Sequence, residues 1–319
     1  MRRRRPAVQR YHDRVAPRYD ATYDDAYWAW HDALTWDHLK PHLPEDLRAP
    51  VVDLGCGTGK WAAKIARSGF SVTCVDISVA MLEQARQKLH PQISPIDADE
   101  STALSTPAAT DLPLPPGSEP RRISERSAGA PPVLPLPSGE RVGVRGTATK
   151  FVQADLMDLS ALPAQHFALA VAFGEPLGST ASPATALKQI RRILAPQGKL
   201  VATFDNLLNA LDFYVQQGDP RGLEEFLRSG VTHWLTRDRG EQFPIHTWTP
   251  DRLRKLLETA GFEVVDMIGK TVLPMRHYRE LLEDPKARRA WMKIEKSLWR
   301  DPPAIGRAAH LQVVARPTP

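Results

Sequence analysis

Cysteine is scarce in this 319-residue sequence, and no long hydrophobic run is present. The two cysteines, Cys56 and Cys74, are too few for a disulfide framework. No apolar stretch approaches the roughly 18 residues that a membrane-spanning helix requires. The basic residues 2–5 are followed by a polar stretch instead of the apolar segment of an export signal. These absences argue against a disulfide-stapled or membrane-spanning fold, and we expect a protein of the reducing cytoplasm.

The charge of the chain is unevenly placed. The formal net charge is +5 and the pI is about 9.2, but four positive charges belong to residues 2–5 alone. The rest of the sequence is nearly balanced, which favours a solvated basic tail over a nucleic-acid-binding surface. No group of His, Cys and Asp residues has the sequence spacing of a metal site, so we expect no bound metal.

Proline and glycine are concentrated in the middle of the chain. Residues 91–148 contain 11 of the 29 prolines, five glycines and no aromatic residue. Such a segment cannot bury enough apolar surface to offset the entropy lost on ordering. We therefore predict a disordered insertion, with a substrate lid or docking segment as the alternative.

The flanking sequence alternates between short apolar strands and amphipathic helices. Residues 1–48 carry aromatic residues at helical spacing and are predicted to form an N-terminal helical cover. Residues 49–90 and 149–316 are predicted to form one domain, in which a helix over 183–194 ends at Pro196 and a strand over 199–204 follows. This pattern predicts an α/β fold: a Rossmann-like, seven-stranded, mostly parallel sheet with helices on both faces.

A glycine-rich turn follows the first predicted strand, in the segment 53–59 with the sequence DLGCGTG. A turn of this kind brings backbone N–H groups and a helix N-terminus close to a ligand. A phosphate-binding loop is excluded because Leu54 replaces its first glycine and Trp61 its hydroxyl residue. A dinucleotide-binding turn matches poorly because Lys60 stands where its third glycine should be.

The spacing Asp-x-Gly-x-Gly-x-Gly resembles the first motif of the class I S-adenosylmethionine-dependent methyltransferases. A second carboxylate, Asp76, ends the next predicted strand 17 residues after Gly59, and Asp155 follows the third strand once the insertion is removed. The resemblance implies that Asp53 meets the donor's ammonium group, Asp76 its ribose hydroxyls, and Asp155 its adenine. The donor-binding residues that it implies are Asp53, Gly55, Cys56, Gly57, Gly59, Asp76, Ile77, Asp155, Leu156 and Phe173.

The acceptor side of the site is less defined. Methyl transfer from a sulfonium needs alignment and exclusion of water, and a general base only if the acceptor loses a proton. We predict catalytic roles for Glu175, His246 and Tyr19, with His31 and His233 as weaker candidates. The expected function is methyl transfer to a small molecule. A tRNA or rRNA methyltransferase and a catalytically silent donor-binding scaffold are the alternatives, and the oligomeric state is left open.

Overall fold

The computed structural model describes residues 5–89, 149–234 and 238–319. The predicted insertion over 91–148 lies outside these residues. The helices are α1 Ala7–Val15, α2 Ala26–Leu39, α3 Lys60–Arg67, α4 Val79–Leu89, α5 Pro183–Ile193, α6 Leu211–Gln217, α7 Pro220–Ser229, α8 Pro250–Thr259, α9 Pro285–Leu298 and α10 Pro302–Arg307. The strands are β1 Val51–Leu54, β2 Val72–Asp76, β3 Lys150–Gln153, β4 Phe167–Ala172, β5 Leu194–Asp205, β6 Val231–His233, β7 Pro244–His246, β8 Phe262–Lys270 and β9 His310–Pro317.

Seven strands form the main sheet in the order β3-β2-β1-β4-β5-β9-β8, and β6 pairs with β7 in a separate hairpin. The first five strands are parallel, whereas β9 runs antiparallel to β5 and to β8. The predicted seven-stranded, mostly parallel sheet is confirmed. The strand order reverses between β1 and β4, which is the place where open α/β sheets bind their ligands.

The core lies on both faces of this sheet. On one face, Trp61 and Ile65 of α3 pack with Leu39 of α2. On the other face, α5 and α8 contribute Leu187 and Leu253. Because both faces of the sheet are covered, all four residues of β1 are buried, and exposed and buried residues do not alternate along the strand.

Strand β5 begins earlier than the sequence pattern predicts. Leu194 already pairs with Phe167, and the strand continues through Pro196 and Gly198 to Asp205. The register shifts between Phe167 and Leu169, and a proline is tolerated at such an irregular strand start. The prediction that Pro196 separates helix from strand was therefore wrong. Strand β5 ends at Asp205, β8 ends at Lys270 and the antiparallel β9 begins at His310. These three residues therefore lie at the same end of the sheet, where the parallel strands have their carboxyl ends.

The N-terminal segment forms two helices joined by short 3₁₀ turns, in agreement with the helical spacing of its aromatic residues. Tyr11 and Val15 of α1 pack against Met81 and Phe243. Tyr27 and Trp30 of α2 pack with Met275, in the 3₁₀ segment after β8. In the part of the chain that the structure describes, no helix is both long and apolar enough to cross a membrane.

Candidate active site

The glycines of the turn after β1 differ in what surrounds them. Gly55, Gly57 and Gly59 all have positive φ values, of 68°, 53° and 79°. A Cβ atom on Gly55 would lie 2.5 Å from Pro176 Cβ, whereas one on Gly57 would meet nothing within 4 Å. Gly55 therefore permits close packing inside the protein, and Gly57 leaves open space above the turn in which a ligand can lie.

Asp76, at the end of β2, shapes this turn. Its Oδ2 accepts a hydrogen bond from the Gly57 N–H at 2.9 Å, and its Oδ1 accepts one from the Ser78 N–H at 2.8 Å. Burial raises the pKa of this carboxyl. Each carboxylate oxygen retains a second lone pair, so Asp76 can still accept hydrogen bonds from hydroxyl groups of a ligand.

Asp53, at the centre of the sheet, has an unsatisfied oxygen. Its side chain is buried, and Oδ2 has no hydrogen-bond partner among the described residues. Burial raises the pKa of Asp53 to about 7, against the lowering effect of the Ala62 N–H group. A buried carboxylate oxygen without a partner needs an explanation. The ammonium group of S-adenosylmethionine, as the resemblance implies, would be such a partner, and the open space at Gly57 would leave room for the donor.

The other residues predicted to bind the donor lie in buried or partly buried positions. The Cys56 N–H donates to Val75 O at 3.0 Å, and its side chain is buried in the core together with Phe173. Leu156 is buried in the opposite core. Asp155 accepts a hydrogen bond from the Met157 N–H at 2.9 Å, in the turn after β3, and the partly exposed Ile77 follows Asp76 directly.

The N-terminal segment is tied to the donor turn by three carboxylates. The Ser78 hydroxyl donates to Asp13 at 2.6 Å, and the Thr58 hydroxyl donates to Asp20 at 2.5 Å. Asp32 accepts from the Lys60 ammonium at 2.8 Å. Each contact joins the first 48 residues to the glycine turn, to the start of α3 or to the residues that follow β2. The N-terminal segment thus lies beside the turn, and its role as a cover stays a prediction.

We expect Gly57→Ala to weaken S-adenosylmethionine binding more than it weakens folding. The methyl group meets no protein atom but projects into the open space, and the left-handed backbone costs an alanine about 1 kcal/mol. Gly218→Ala is the matched control, because Gly218 has a φ of 65°, equally open surroundings and a position at the end of α6. Calorimetric titration and thermal unfolding of both variants test this; equal donor affinities would place the ligand elsewhere.

A second group of polar side chains meets at the same edge of the sheet, beyond the turn. Glu175 follows β4, Asp205 ends β5 and His310 begins β9, and one potential ligand atom from each lies within 4.8 Å of the others. Glu175 has a φ of 58°, which is uncommon for a residue other than glycine. Its N–H and that of Gly174 donate to Thr203 Oγ1 at 3.3 and 3.1 Å, which holds this conformation in place.

The two carboxyl groups are held in an environment that disfavours two negative charges. Burial, and then the charge of Glu175, raise the pKa of Asp205 to about 8. Burial also raises the pKa of Glu175, whose Oε1 has no hydrogen-bond partner among the described residues. The Asp205 side chain nevertheless retains 35% of its accessible surface, so water can reach it. Ionisation of both carboxyl groups at once is therefore disfavoured.

A buried lysine and two histidines surround this pair. Lys270, at the end of β8, donates to Thr35 Oγ1 at 2.9 Å, and burial lowers its pKa to about 8. His31 and His310 have ring centroids 5.2 Å apart. Burial lowers the pKa of His31 to about 4 and that of His310 well below its usual value, so both imidazoles are neutral at physiological pH.

Tyr19 belongs to the same region. Its ring lies 5.0 Å from that of Tyr23, and burial and the Tyr23 hydroxyl raise its pKa well above the usual value, with a further contribution from the charge of Glu175. Tyr19 therefore stays protonated and can donate a hydrogen bond, but it cannot act as a base at neutral pH. The structure thus places Tyr19 and Glu175 in the same electrostatic environment.

No hydrogen bond or ring contact joins the side chains of His246 and His233 to this group among the described residues. The His246 N–H donates to Gly178 O at 2.8 Å, and its ring stacks on Trp248 with a centroid distance of 6.1 Å. His246 lines a different cavity, of about 430 Å³, beside Arg228 and Lys255. His233 is exposed at the end of β6. Neither residue is brought to the two carboxyl groups, so the predicted role of His246 gains no support from its position.

Asp205, Lys270 and His310 were not predicted from the sequence. Asp205 could have been found, because it ends a strand just as Asp76 does. Glu175, Asp205 and His310 show no metal-ligand spacing along the chain, because one follows β4, one ends β5 and one begins β9. A second such group, His38, His42 and Asp266, has Arg300 paired to Asp266 at 2.6 Å. The absence of a bound metal remains a prediction.

The chain can be compared with known proteins at this point. The family model described as "Methyltransferase domain" matches residues 27–267. A magnesium-protoporphyrin O-methyltransferase from Rhodobacter capsulatus is 42% identical over 52 residues, or 16% of this chain and 23% of that protein. The aligned parts make up 23–30% of the length of the curated relatives, so the chain spans only about a quarter of the proteins it matches.

Two solved structures share the fold along their full length. The CcbJ methyltransferase from Streptomyces caelestis has a TM-score of 0.51 at 16% identity, covering 98% of this chain and 99% of that one. The [4+2]-cyclase SpnF has a TM-score of 0.55 at 15% identity, covering 98% and 95%. At these identities the likeness shows the fold alone. The family match over residues 27–267 goes further: this chain belongs to the methyltransferase domain family, the class I methyltransferases that use S-adenosylmethionine.

Proposed function

We propose that this protein transfers a methyl group from S-adenosylmethionine to a nitrogen or oxygen atom of a small molecule, with Glu175 and Asp205 acting as a paired general base. The observation that carries the proposal is the convergence of these two carboxyl groups at the edge of the sheet next to the glycine turn. A scaffold that only bound the donor would not need two carboxyl groups held this close together. An acceptor that loses a proton on methylation does need one.

The donor would be held by the turn between Asp53 and Gly59 and by Asp76. When bound, S-adenosylmethionine supplies a methyl group already activated by a sulfonium. Asp53 Oδ2 offers a buried negative charge to the ammonium end, and Asp76 offers its remaining lone pairs to hydroxyl groups. The contacts of the N-terminal segment with Thr58, Lys60 and Ser78 hold it beside this part of the site.

On the acceptor side, the carboxyl pair is suited to take up a proton. The Asp205 side chain is partly exposed and, once ionised, can accept the proton of an N–H or O–H group at its carboxylate oxygen. Glu175, fixed by its unusual backbone conformation, shares the remaining charge. The Lys270 ammonium stabilises the ionised pair without forming a direct ion pair with it. Tyr19 can donate a hydrogen bond nearby.

A methyltransferase acting on RNA is the second candidate. The cavity beside α7 and α8 is lined by Arg228, Arg252 and Lys255 and contains no carboxylate. Cationic side chains of this kind suit a phosphate backbone. All three are exposed, and the carboxyl pair lies outside this cavity, so the small-molecule proposal is better supported.

A transfer assay separates these proposals. Extract of the source organism, divided into small-molecule and RNA pools, is incubated with the protein and methyl-labelled S-adenosylmethionine. We expect label in the small-molecule pool, and its loss with Asp205→Asn. Label confined to RNA would support the second candidate. Donor binding without transfer to either pool would leave a silent scaffold as the remaining account.

A further inference from the structure

Arg276 differs from Arg279 and Arg300 in having no carboxylate partner among the described residues. Its Nε is buried without a hydrogen-bond partner there. Nearby Arg279 pairs with Asp25 at 2.6 Å, and Arg300 pairs with Asp266 at the same distance. Removing an N–H donor from water without an acceptor carries an energetic cost. A ligand with a negative charge would remove this cost.

The position of Arg276 is fixed by the fold. It lies in the 3₁₀ segment Met275–Leu282, directly after the end of β8. The buried Glu295 accepts the N–H groups of Val272 and Leu273 at 2.7 and 2.9 Å, which anchors the start of this segment at the sheet edge. Its guanidinium carbon lies 5.8 Å from the centre of the Trp28 ring. The arginine is therefore held over an aromatic face, and its Nε–H has no acceptor among the described residues.

Arg276 is connected to the carboxyl pair through a row of aromatic rings. The Trp28 ring beside it lies 5.2 Å from the His31 ring, which lies 5.2 Å from that of His310. His310 Nε2 lies 3.9 Å from Asp205 Oδ1, and the charge of Arg276 lowers the pKa of Asp205. Lys270 is a second cationic side chain near these carboxyl groups, so the region suits an anionic group of a ligand.

We infer that Arg276 binds an oxyanion of the methyl acceptor, a carboxylate or a phosphate ester, beside the ring of Trp28. A planar guanidinium binds either group with two parallel hydrogen bonds. The acceptor is then an anionic small molecule whose N–H or O–H group reaches Asp205 while its oxyanion reaches Arg276. The inference rests on the proposed function, because it concerns the acceptor cavity of that site.

Ligand-detected NMR tests the subsite without turnover. The probes are benzoate, phenyl phosphate and the neutral analogue benzamide, measured by saturation transfer with wild-type protein, Arg276→Gln, Arg276→Lys and Arg279→Gln. We expect at least one of the two anions to bind the wild-type protein, and the stronger of them identifies the oxyanion class. Its affinity should fall about tenfold in Arg276→Gln, less in Arg276→Lys, and hardly at all in Arg279→Gln. Benzamide should bind weakly to every variant.

The contrary outcomes are distinct from one another. Equal binding of the anion to wild type and Arg276→Gln overturns the inference, as does binding of benzamide as strong as that of benzoate, or the failure of both anions to bind wild-type protein. Titration of each variant with S-adenosylmethionine provides the second readout. A loss of donor affinity in Arg276→Gln would show that the arginine serves the donor's carboxylate. If the probes behave as expected but no methyl transfer is found, the subsite stands and the proposed function fails.

Discussion

Asp205→Asn is expected to lower the rate of methyl transfer by two to four orders of magnitude, the usual range for loss of a general base. The substitution keeps the shape of the side chain but removes its ability to accept a proton. In the wild-type protein the rate should rise with pH through about 8, because the base works only when ionised and the pKa of Asp205 is raised to about 8. The variant should lose this transition. Steady-state rates across the pH range test both points.

Several groups share in that titration. Glu175, Lys270, Arg276 and His310 face Asp205 from the elements around it, and the pKa of Lys270 also lies at about 8. Lys270→Met should therefore move the transition to higher pH, since removing a positive charge disfavours the carboxylate. Asp212→Asn, a change of the same kind on the exposed face of α6, is the control. A rate for Asp205→Asn close to wild type would remove the general base from the mechanism.

Asp76→Ala is expected to weaken S-adenosylmethionine binding by about 1.5–3 kcal/mol, the range for lost charge-assisted hydrogen bonds. The structure gives two reasons for a large effect. The carboxylate is positioned to bind hydroxyl groups, and it also holds the Gly57 and Ser78 N–H groups. Asp76→Asn should lose less, because its amide oxygen can retain one of these bonds.

The control for this variant is Asp158→Ala. Asp158 is an exposed carboxylate that accepts the Ser160 N–H at 3.1 Å, in the loop between β3 and β4. Its removal takes one carboxylate from a turn without touching the donor turn. Calorimetric titration of both variants should show the loss only for Asp76→Ala. Unchanged affinity would mean that Asp76 does not contact the donor.

The donor side of the site could be predicted from the sequence because its residues are contiguous or end adjacent strands. Asp53, the three glycines and Asp76 have a fixed spacing, and parallel strands bring their carboxyl ends to one edge. Asp155 follows β3, which is parallel to β2, so it also lies at the carboxyl ends of the strands, although residues 91–148 separate it from Asp76 in the sequence. Burial of Asp53 and the open space at Gly57 are consistent with this prediction, although neither had to be known to make it.

The acceptor side could not be read in the same way. Asp205, Lys270 and His310 come from strands far apart in the chain, and their meeting depends on the antiparallel pairing of β9 with β5 and β8. The start of β5 at Leu194 was not predicted, because a proline such as Pro196 typically follows the end of a helix. His246 was favoured because it precedes α8. Its place in the sequence does not show on which side of the loop 174–180 its imidazole ring lies. The acceptor side depends on pairing between strands that are distant in the sequence, and no local pattern reveals this pairing.

The central claim is that S-adenosylmethionine binds between Asp53, the glycine turn and Asp76. Titration calorimetry at about pH 6, in two buffers of different ionisation enthalpy, tests it most directly. Asp53 has a pKa of about 7 in the free protein and is mostly protonated below that pH. An ammonium partner favours the carboxylate, so binding should expel the proton. We predict one site per chain, sub-millimolar affinity and release of about one proton, fading above pH 7. Absence of binding heat at millimolar donor, or binding without proton release, would contradict this account.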